Sequence, residues 1–239
     1  MNIPERSLEV ARPRVAWRWA ANAVTMCIFA LGLLAAALAM AGRANGQLAA
    51  AIIVLAALVD GTDGALARRA GGPTRAGALL DIAADLTAFG LAPAGLAAAG
   101  ATGASAVARA PGSVWLLVLA LGVYLAAALW RLVRSARLAL SKPAGFFVGL
   151  PMPTAGCLVA GLALNLPAVW VGAALLVIST LAVSRRAYPS VPWMWQERRA
   201  SLLAFVVVSA LILALSPGAG LLISSSLCAA YPWLRPVHV

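Results

Sequence analysis

Apolar stretches of about 16–25 residues recur along this chain, separated by short breaks rich in Gly, Pro and Arg. About 20 consecutive apolar residues suffice for a helix to cross a bilayer, so each stretch predicts a membrane helix. Eight are marked, at about 20–41, 48–68, 77–99, 114–140, 147–164, 168–183, 200–215 and 221–233. The breaks carry Gly42 and Gly46, Gly71-Gly72-Pro73, Pro111-Gly112, Pro143, Pro167, Pro189, Pro192 and Pro217-Gly218. No alternation of period two predicts a strand, and no internal repeat is visible.

Composition agrees with lipid as the main solvent. Of 239 residues 63% are hydrophobic and 10% are charged, against about 25% charged in a soluble domain. The net charge of +11 does not read as nucleic-acid binding, because the cations form short clusters between apolar runs rather than a solvated surface with interleaved aromatics. Such clusters face anionic headgroups. With the N-terminus in the cytoplasm, sixteen of the Lys and Arg residues fall on the cytoplasmic side and two, Arg43 and Arg109, on the other. That split satisfies the positive-inside rule and supports the segment count. A multi-pass protein of a bacterial or archaeal cell membrane is expected. The first apolar run is too long for the core of a signal peptide. Residues 2–19 mix Arg with Val, Leu and Trp and read as a helix lying on the cytoplasmic interface. Trp193 and Trp195 beside Arg198 and Arg199 read as a second interfacial anchor. Cys27, Cys157 and Cys228 have no ligand-like spacing and read as packing residues.

All four aspartates of the chain fall in one stretch, in the spacing D-x2-D-G-x2-A-R-x8-G-x3-D-x3-D. They are Asp60, Asp63, Asp81 and Asp85, with Gly64, Ala67, Arg68 and Gly77 at the other fixed places. A carboxylate at mid-bilayer costs about 2.5–3.5 kcal/mol on insertion scales, so four together need cations or water. Spacings of three and four put each pair on one helix face. The Gly71-Gly72-Pro73 turn makes the two helices antiparallel neighbours, so the pairs converge. Oxygen-only ligands without His or Cys favour Mg²⁺ or Mn²⁺. Two such ions about 3.5–4 Å apart would clamp a pyrophosphate. Gly64, Ala67 and Gly77 are small enough to admit a nucleotide against the helix backbones, and Arg68 can meet phosphate oxygens. Ion-path or proton-relay acids are the alternative. A transporter would spread its acids over several helices, whereas these lie on two neighbouring helices at one membrane face.

The eight positions resemble, without a departure, the signature of the CDP-alcohol phosphotransferase family, integral membrane enzymes that displace CMP from a CDP-linked lipid or alcohol. The resemblance implies an all-α fold with a six-helix core, here residues 20–183. It implies two divalent ions held by the four aspartates, and Asp85 as general base on the acceptor hydroxyl. The CDP moiety would meet Asp60, Asp63, Gly64, Ala67, Arg68, Gly77 and Asp81. Residues 1–19 would be the interfacial helix, and 184–239 a cytoplasmic loop with two added membrane helices.

Further stretches are similar to the phosphatidylserine synthase branch. Ala88-Phe89-Gly90-Leu91-Ala92-Pro93-Ala94 is similar to S-F-G-x-A-P-A. Arg131-Leu132-Val133-Arg134 is similar to the start of R-x-x-R-F-N, and Phe147-Val148-Gly149-Leu150-Pro151-Met152-Pro153 to F-x-G-L-P-x-P. Ser135-Ala136 stands where Phe-Asn is usual, and Ile82 and Ala88 where Ser is common. The implied reaction joins CDP-diacylglycerol to serine; glycerol phosphate, inositol phosphate or another alcohol would use the same chemistry. Arg131, Arg134 and Arg137, three apart on one helix, are candidates for an anion subsite holding a lipid phosphate or the acceptor's carboxylate; snorkelling cations that mark topology are the alternative. The expected partners are CDP-diacylglycerol, a small alcohol and membrane lipids, with no nucleic acid; a homodimer remains open.

Overall fold

The computed structural model describes residues 5–69, 74–101, 111–139, 146–189, 203 and 217–234. Among them are seven helices, in the order α1 (Glu5–Met40), α2 (Gly46–Arg69), α3 (75–101), α4 (Pro111–Ala139), α5 (Met152–Asn165), α6 (Ala168–Val183) and α7 (Pro217–Leu234). Two short strands, β1 (Phe146–Val148) before α5 and β2 (Ala187–Pro189) after α6, pair antiparallel with Phe147 opposite Tyr188.

Among the described residues, three helical stretches are long and apolar enough to cross a membrane: Ala16–Met40, Arg75–Gly100 and Val114–Arg137. Gly46–Thr62, Met152–Asn165, Ala168–Val183 and Ala219–Ala230 are shorter apolar helices. Large apolar side chains such as Trp19, Leu58, Trp115, Trp130 and Trp170 point outward, as lipid contact would demand. Inside, the packing uses small residues. Ala35, Ala39, Ala49, Ile53, Ala56, Ala84, Ala88 and Ala92 are buried where α1, α2 and α3 meet. Small interfacial residues let helix backbones approach closely, the usual means of association in lipid.

The expected run of eight apolar helices is altered in two places. The interfacial and first membrane segments form one unbroken helix, Glu5–Met40, with no Gly or Pro between residues 14 and 31 to part them. Pro13 lies within it. The fifth segment begins as helix at Met152 rather than near residue 147, since Phe146–Val148 are drawn into the strand pair. Gly149 then turns the chain at φ +85°, a conformation that favours glycine. The expectation that the chain holds no strand is corrected by this pair. The segment at 200–215, apart from Leu203, the 71–73 turn, and the Trp193–Trp195 anchor lie outside the described residues.

Helix α3 is not uniform. Arg75–Asp85 is α-helical, Leu86–Leu91 is a π-type turn, and Ala92–Ala101 is α-helical again. The Ala92 N–H donates to the Thr87 carbonyl, five residues back, so one extra residue is held in this turn. α3 runs against α1, α2 and α4, its Arg75–Asp85 part packing on α1 and α4, and Asp60 of α2 reaches its acidic residues.

Candidate active site

Two helices carry the carboxylates to one point. Asp60 sits nine residues before the end of α2, and Asp81 and Asp85 in the first three turns of α3. The start of α3 is set by Thr74, whose Oγ accepts from the Gly77 N–H at 3.0 Å, with the Ala78 N–H on the Thr74 carbonyl at 2.9 Å. This side-chain cap satisfies one of the orphan donors of the first turn. A Cβ on Gly77 would lie 3.0 Å from that Oγ and 3.6 Å from Asn22 Oδ1. The signature glycine therefore has a local reason besides nucleotide access: it keeps room for the cap that fixes the register of Asp81 and Asp85.

One carboxylate oxygen from each of Asp60, Asp81 and Asp85 lies within 4.8 Å of the others. Their exposure is graded: Asp81 is exposed, Asp60 half-buried, and Asp85 only 8% exposed. The cluster is thus a cleft with Asp85 at its floor and Asp81 at its rim. The backbone of α2 continues as helix through Asp63, Gly64, Ala67 and Arg68, while the side chains at these four positions lie outside the described residues.

The three arginines expected to act together do not share one environment. Arg131 is 4% exposed and faces the carboxylates, interacting electrostatically with Asp85 first, then Asp60 and Asp81. Its Nε has no hydrogen-bond partner. Arg134, one turn on, gives its guanidinium to main-chain carbonyls: Nη1 to Val183 at 2.8 Å, Nη2 to Val148 at 2.8 Å and Ser184 at 3.1 Å. It closes the C-terminal end of α6, where orphan carbonyls collect, and ties it to β1. Arg137 is exposed.

The donor set fits divalent cations. The ligands are all carboxylate oxygens, as Mg²⁺ or Mn²⁺ prefer. Oδ1 of Asp85 is buried without a hydrogen-bond partner, and a buried acceptor left unpaired is costly. Like-charged groups this close also favour a counter-charge between them. A cation held by Asp60, Asp81 and Asp85 would satisfy both demands.

Tyr124 lies outside the motifs that the sequence displays. It is buried on α4, seven residues before Arg131, and its hydroxyl donates to the Phe89 carbonyl in the π-type turn just past Asp85. A hydroxyl within an apolar span, two helical turns from Arg131, is the signal that the sequence carries.

No curated protein matches the chain. Residues 18–184, which hold α2 to α6 and nearly all of the apolar part of α1, match the CDP-alcohol phosphatidyltransferases, and with the acidic cleft lying inside that span the chain belongs to this family.

Proposed function

We propose that the protein transfers a phosphatidyl group from CDP-diacylglycerol to the hydroxyl of serine, releasing CMP. Membership of the family carries transfer from a CDP-alcohol to an acceptor. The observation behind the choice of acceptor is Arg131, a buried cation beside Asp85. A zwitterionic acceptor with its hydroxyl at Asp85 would find a partner for its carboxylate there.

In this reading the serine hydroxyl oxygen attacks the phosphorus that bears the diacylglycerol. The pyrophosphate P–O bond breaks, CMP leaves with the bridging oxygen, and the hydroxyl proton passes to the Asp85 carboxylate. Divalent cations, when bound, neutralise pyrophosphate charge and orient its oxygens. Asp60, Asp63 and Asp81 would hold them, with Asp85 at the same oxygen cluster. Asp85 sits at the floor of the cleft, where water is scarce and a base is held in fixed orientation. Gly64, Ala67 and Gly77 would leave space for the cytidine, and Arg68 would meet its phosphates. Arg131 would hold the acceptor, Arg134 would fix the wall behind it, and Arg137 would stand at the membrane surface near lipid phosphates. With the N-terminus cytoplasmic, the cleft opens to the side where CDP-linked substrates and free serine occur.

A second reading, transfer to a phosphorylated alcohol such as glycerol phosphate or inositol phosphate, is favoured by one observation. Ser135, which stands where the serine branch has Phe, turns its hydroxyl back onto the Arg131 and Leu132 carbonyls, both at 3.0 Å, and Ala136 replaces the Asn. No polar group is then offered by these two positions to the serine amine. The deciding experiment gives purified protein labelled CDP-diacylglycerol and a panel of serine, glycerol phosphate, inositol phosphate and inositol. Phosphatidylserine as the product supports the first reading; a phosphorylated lipid product with serine unused replaces it.

A further inference from the structure

The turn that follows Asp85 is held from three sides. On α4, the Tyr124 hydroxyl donates to the Phe89 carbonyl, and both residues are fully buried. On α1, Gly32 is so close that a Cβ would stand 2.7 Å from the Ala88 nitrogen and 2.8 Å from its Cα. On α5, a Cβ at Gly156 would stand 2.9 Å from the Cα and the Cβ of Phe89. Thr87, Ala88, Phe89 and Gly90 are all buried. Four residues after Phe89 stands Pro93, which has no N–H to give the Phe89 carbonyl, so in an apolar setting that carbonyl needs another donor. Tyr124 supplies one.

The extra residue has a directional consequence. Inserting one residue in a helix rotates what lies beyond it by about 100°. Asp81 and Asp85 can therefore face α2 while Ala92–Ala101 packs a different face of the same rod. Tyr124 and Arg131, seven residues apart on α4, share a face. Arg131 meets Asp85 itself, and Tyr124 meets Phe89 one turn beyond it.

The geometry points to Tyr124 as a positioning residue for Asp85: its hydroxyl locks the π-type turn and, through the turn, the direction in which the Asp85 carboxylate enters the cation cleft. This rests on the reading of Asp60, Asp81 and Asp85 as a cation site, and it is tested by cation affinity as well as by turnover. Mn²⁺ binding to purified full-length protein is measured by electron paramagnetic resonance, and CMP release from CDP-diacylglycerol by rate.

Tyr124→Phe removes one hydroxyl and nothing else. It is expected to raise the Mn²⁺ Kd about fivefold and lower kcat about tenfold, with KM for CDP-diacylglycerol within twofold. A misplacement near 1 Å costs about 10²-fold, and a shift of a few tenths costs less. Ser179→Ala is the matched control. Ser179 is equally buried, on α6, and donates to the Leu175 carbonyl at 2.7 Å; its loss should leave both quantities as in the wild type. A second pair applies pressure rather than deletion. Gly156→Ala pushes the turn at Phe89, whereas Gly161→Ala, on the same helix, meets the Leu222 backbone of α7 at 2.9 Å. Only the first should weaken Mn²⁺ binding and kcat together. Wild-type Mn²⁺ affinity in Tyr124→Phe and Gly156→Ala overturns the assignment, and so does an equal loss in the two controls. A wild-type protein that binds Mn²⁺ but releases no CMP refutes the transferase reading instead, and the Mn²⁺ ratios of the four variants still decide the role of Tyr124.

Discussion

A Cβ on Gly149 would stand 2.9 Å from Nη2 of Arg134, so the glycine and the arginine occupy one corner that has no spare volume. The corner joins the ends of three elements. The Gly149 N–H donates to the Arg186 carbonyl at 2.8 Å, the Leu150 N–H to Leu181 at 3.1 Å, and Arg134 spans Val148, Val183 and Ser184. Gly149 also adopts φ +85°. Gly149→Ala is therefore expected to lower stability by about 1–3 kcal/mol, from the strained backbone together with overpacking. Thermal unfolding in detergent checks this. A variant as stable as the wild type would show that the corner can shift without cost.

Arg134→Lys gives a related expectation. A lysine offers one ammonium where the planar guanidinium reaches three carbonyls. Loss of hydrogen bonds from a charged donor costs about 1.5–3 kcal/mol each, discounted here because the cluster lies near the polar end of the bundle. The midpoint of unfolding should drop while the KM for either substrate stays within about twofold. A KM change without loss of stability would return Arg134 to the substrate site.

Cation dependence is expected to be absolute. Three carboxylate oxygens lie within 4.8 Å of one another, and like charges this close favour a bound cation. Excess EDTA should abolish CMP release, and Mg²⁺ or Mn²⁺ should restore it. Asp60→Asn should weaken Mn²⁺ binding in proportion to its loss of activity. Asp85→Asn keeps the size of the side chain and removes the proton acceptor, so kcat should fall by about 10²–10⁴ with CDP-diacylglycerol still bound. Turnover in excess EDTA, or a fully active Asp85→Asn, would remove the corresponding role.

The aspartate cleft was legible because helical spacing is rigid. Residues three and four apart must share a face, and a short turn must bring two helices side by side. Three features were not legible, each for a physical reason. Phe146–Val148 is an apolar run that suits strand or helix equally, and only its pairing with Ala187–Pro189 decides. The turn at Leu86–Leu91 depends on tertiary partners, Tyr124, Gly32 and Gly156, that lie far off in the chain. Arg131 and Arg134 have the same spacing logic, yet the roughly 60° and 4.5 Å between residues three apart are enough for one to face Asp85 and the other the ends of α6 and β1. The arginine count predicted which end they occupy but not what each one meets.

That same count predicts an orientation, and exposed positions at the two ends allow it to be tested. Ala44, between α1 and α2, and Arg185, after α6, are both exposed. With Cys27, Cys157 and Cys228 replaced by Ala, an impermeant thiol reagent added to intact cells should label Ala44→Cys and spare Arg185→Cys until the membrane is opened. The reverse pattern would invert the protein and separate the cleft from its cytoplasmic substrates.

The acceptor is best approached through Arg131. Its guanidinium is 4% exposed, lies among Asp85, Asp60 and Asp81, and keeps its Nε without a partner. Arg131→Ala leaves the buried Asp85 carboxylate without this cation and removes the partner proposed for the acceptor's anionic group. One charge-assisted hydrogen bond contributes about 1.5–3 kcal/mol, so the acceptor KM should rise roughly 10- to 150-fold. Arg131→Lys keeps the charge but not the planar donor set, and should recover part of this. The KM for CDP-diacylglycerol should change far less in both. If that value alone rises, Arg131 holds the lipid phosphate instead. If neither KM moves while Mn²⁺ affinity falls, Arg131 serves the carboxylates alone, and the acceptor's anion must be sought elsewhere in the cleft.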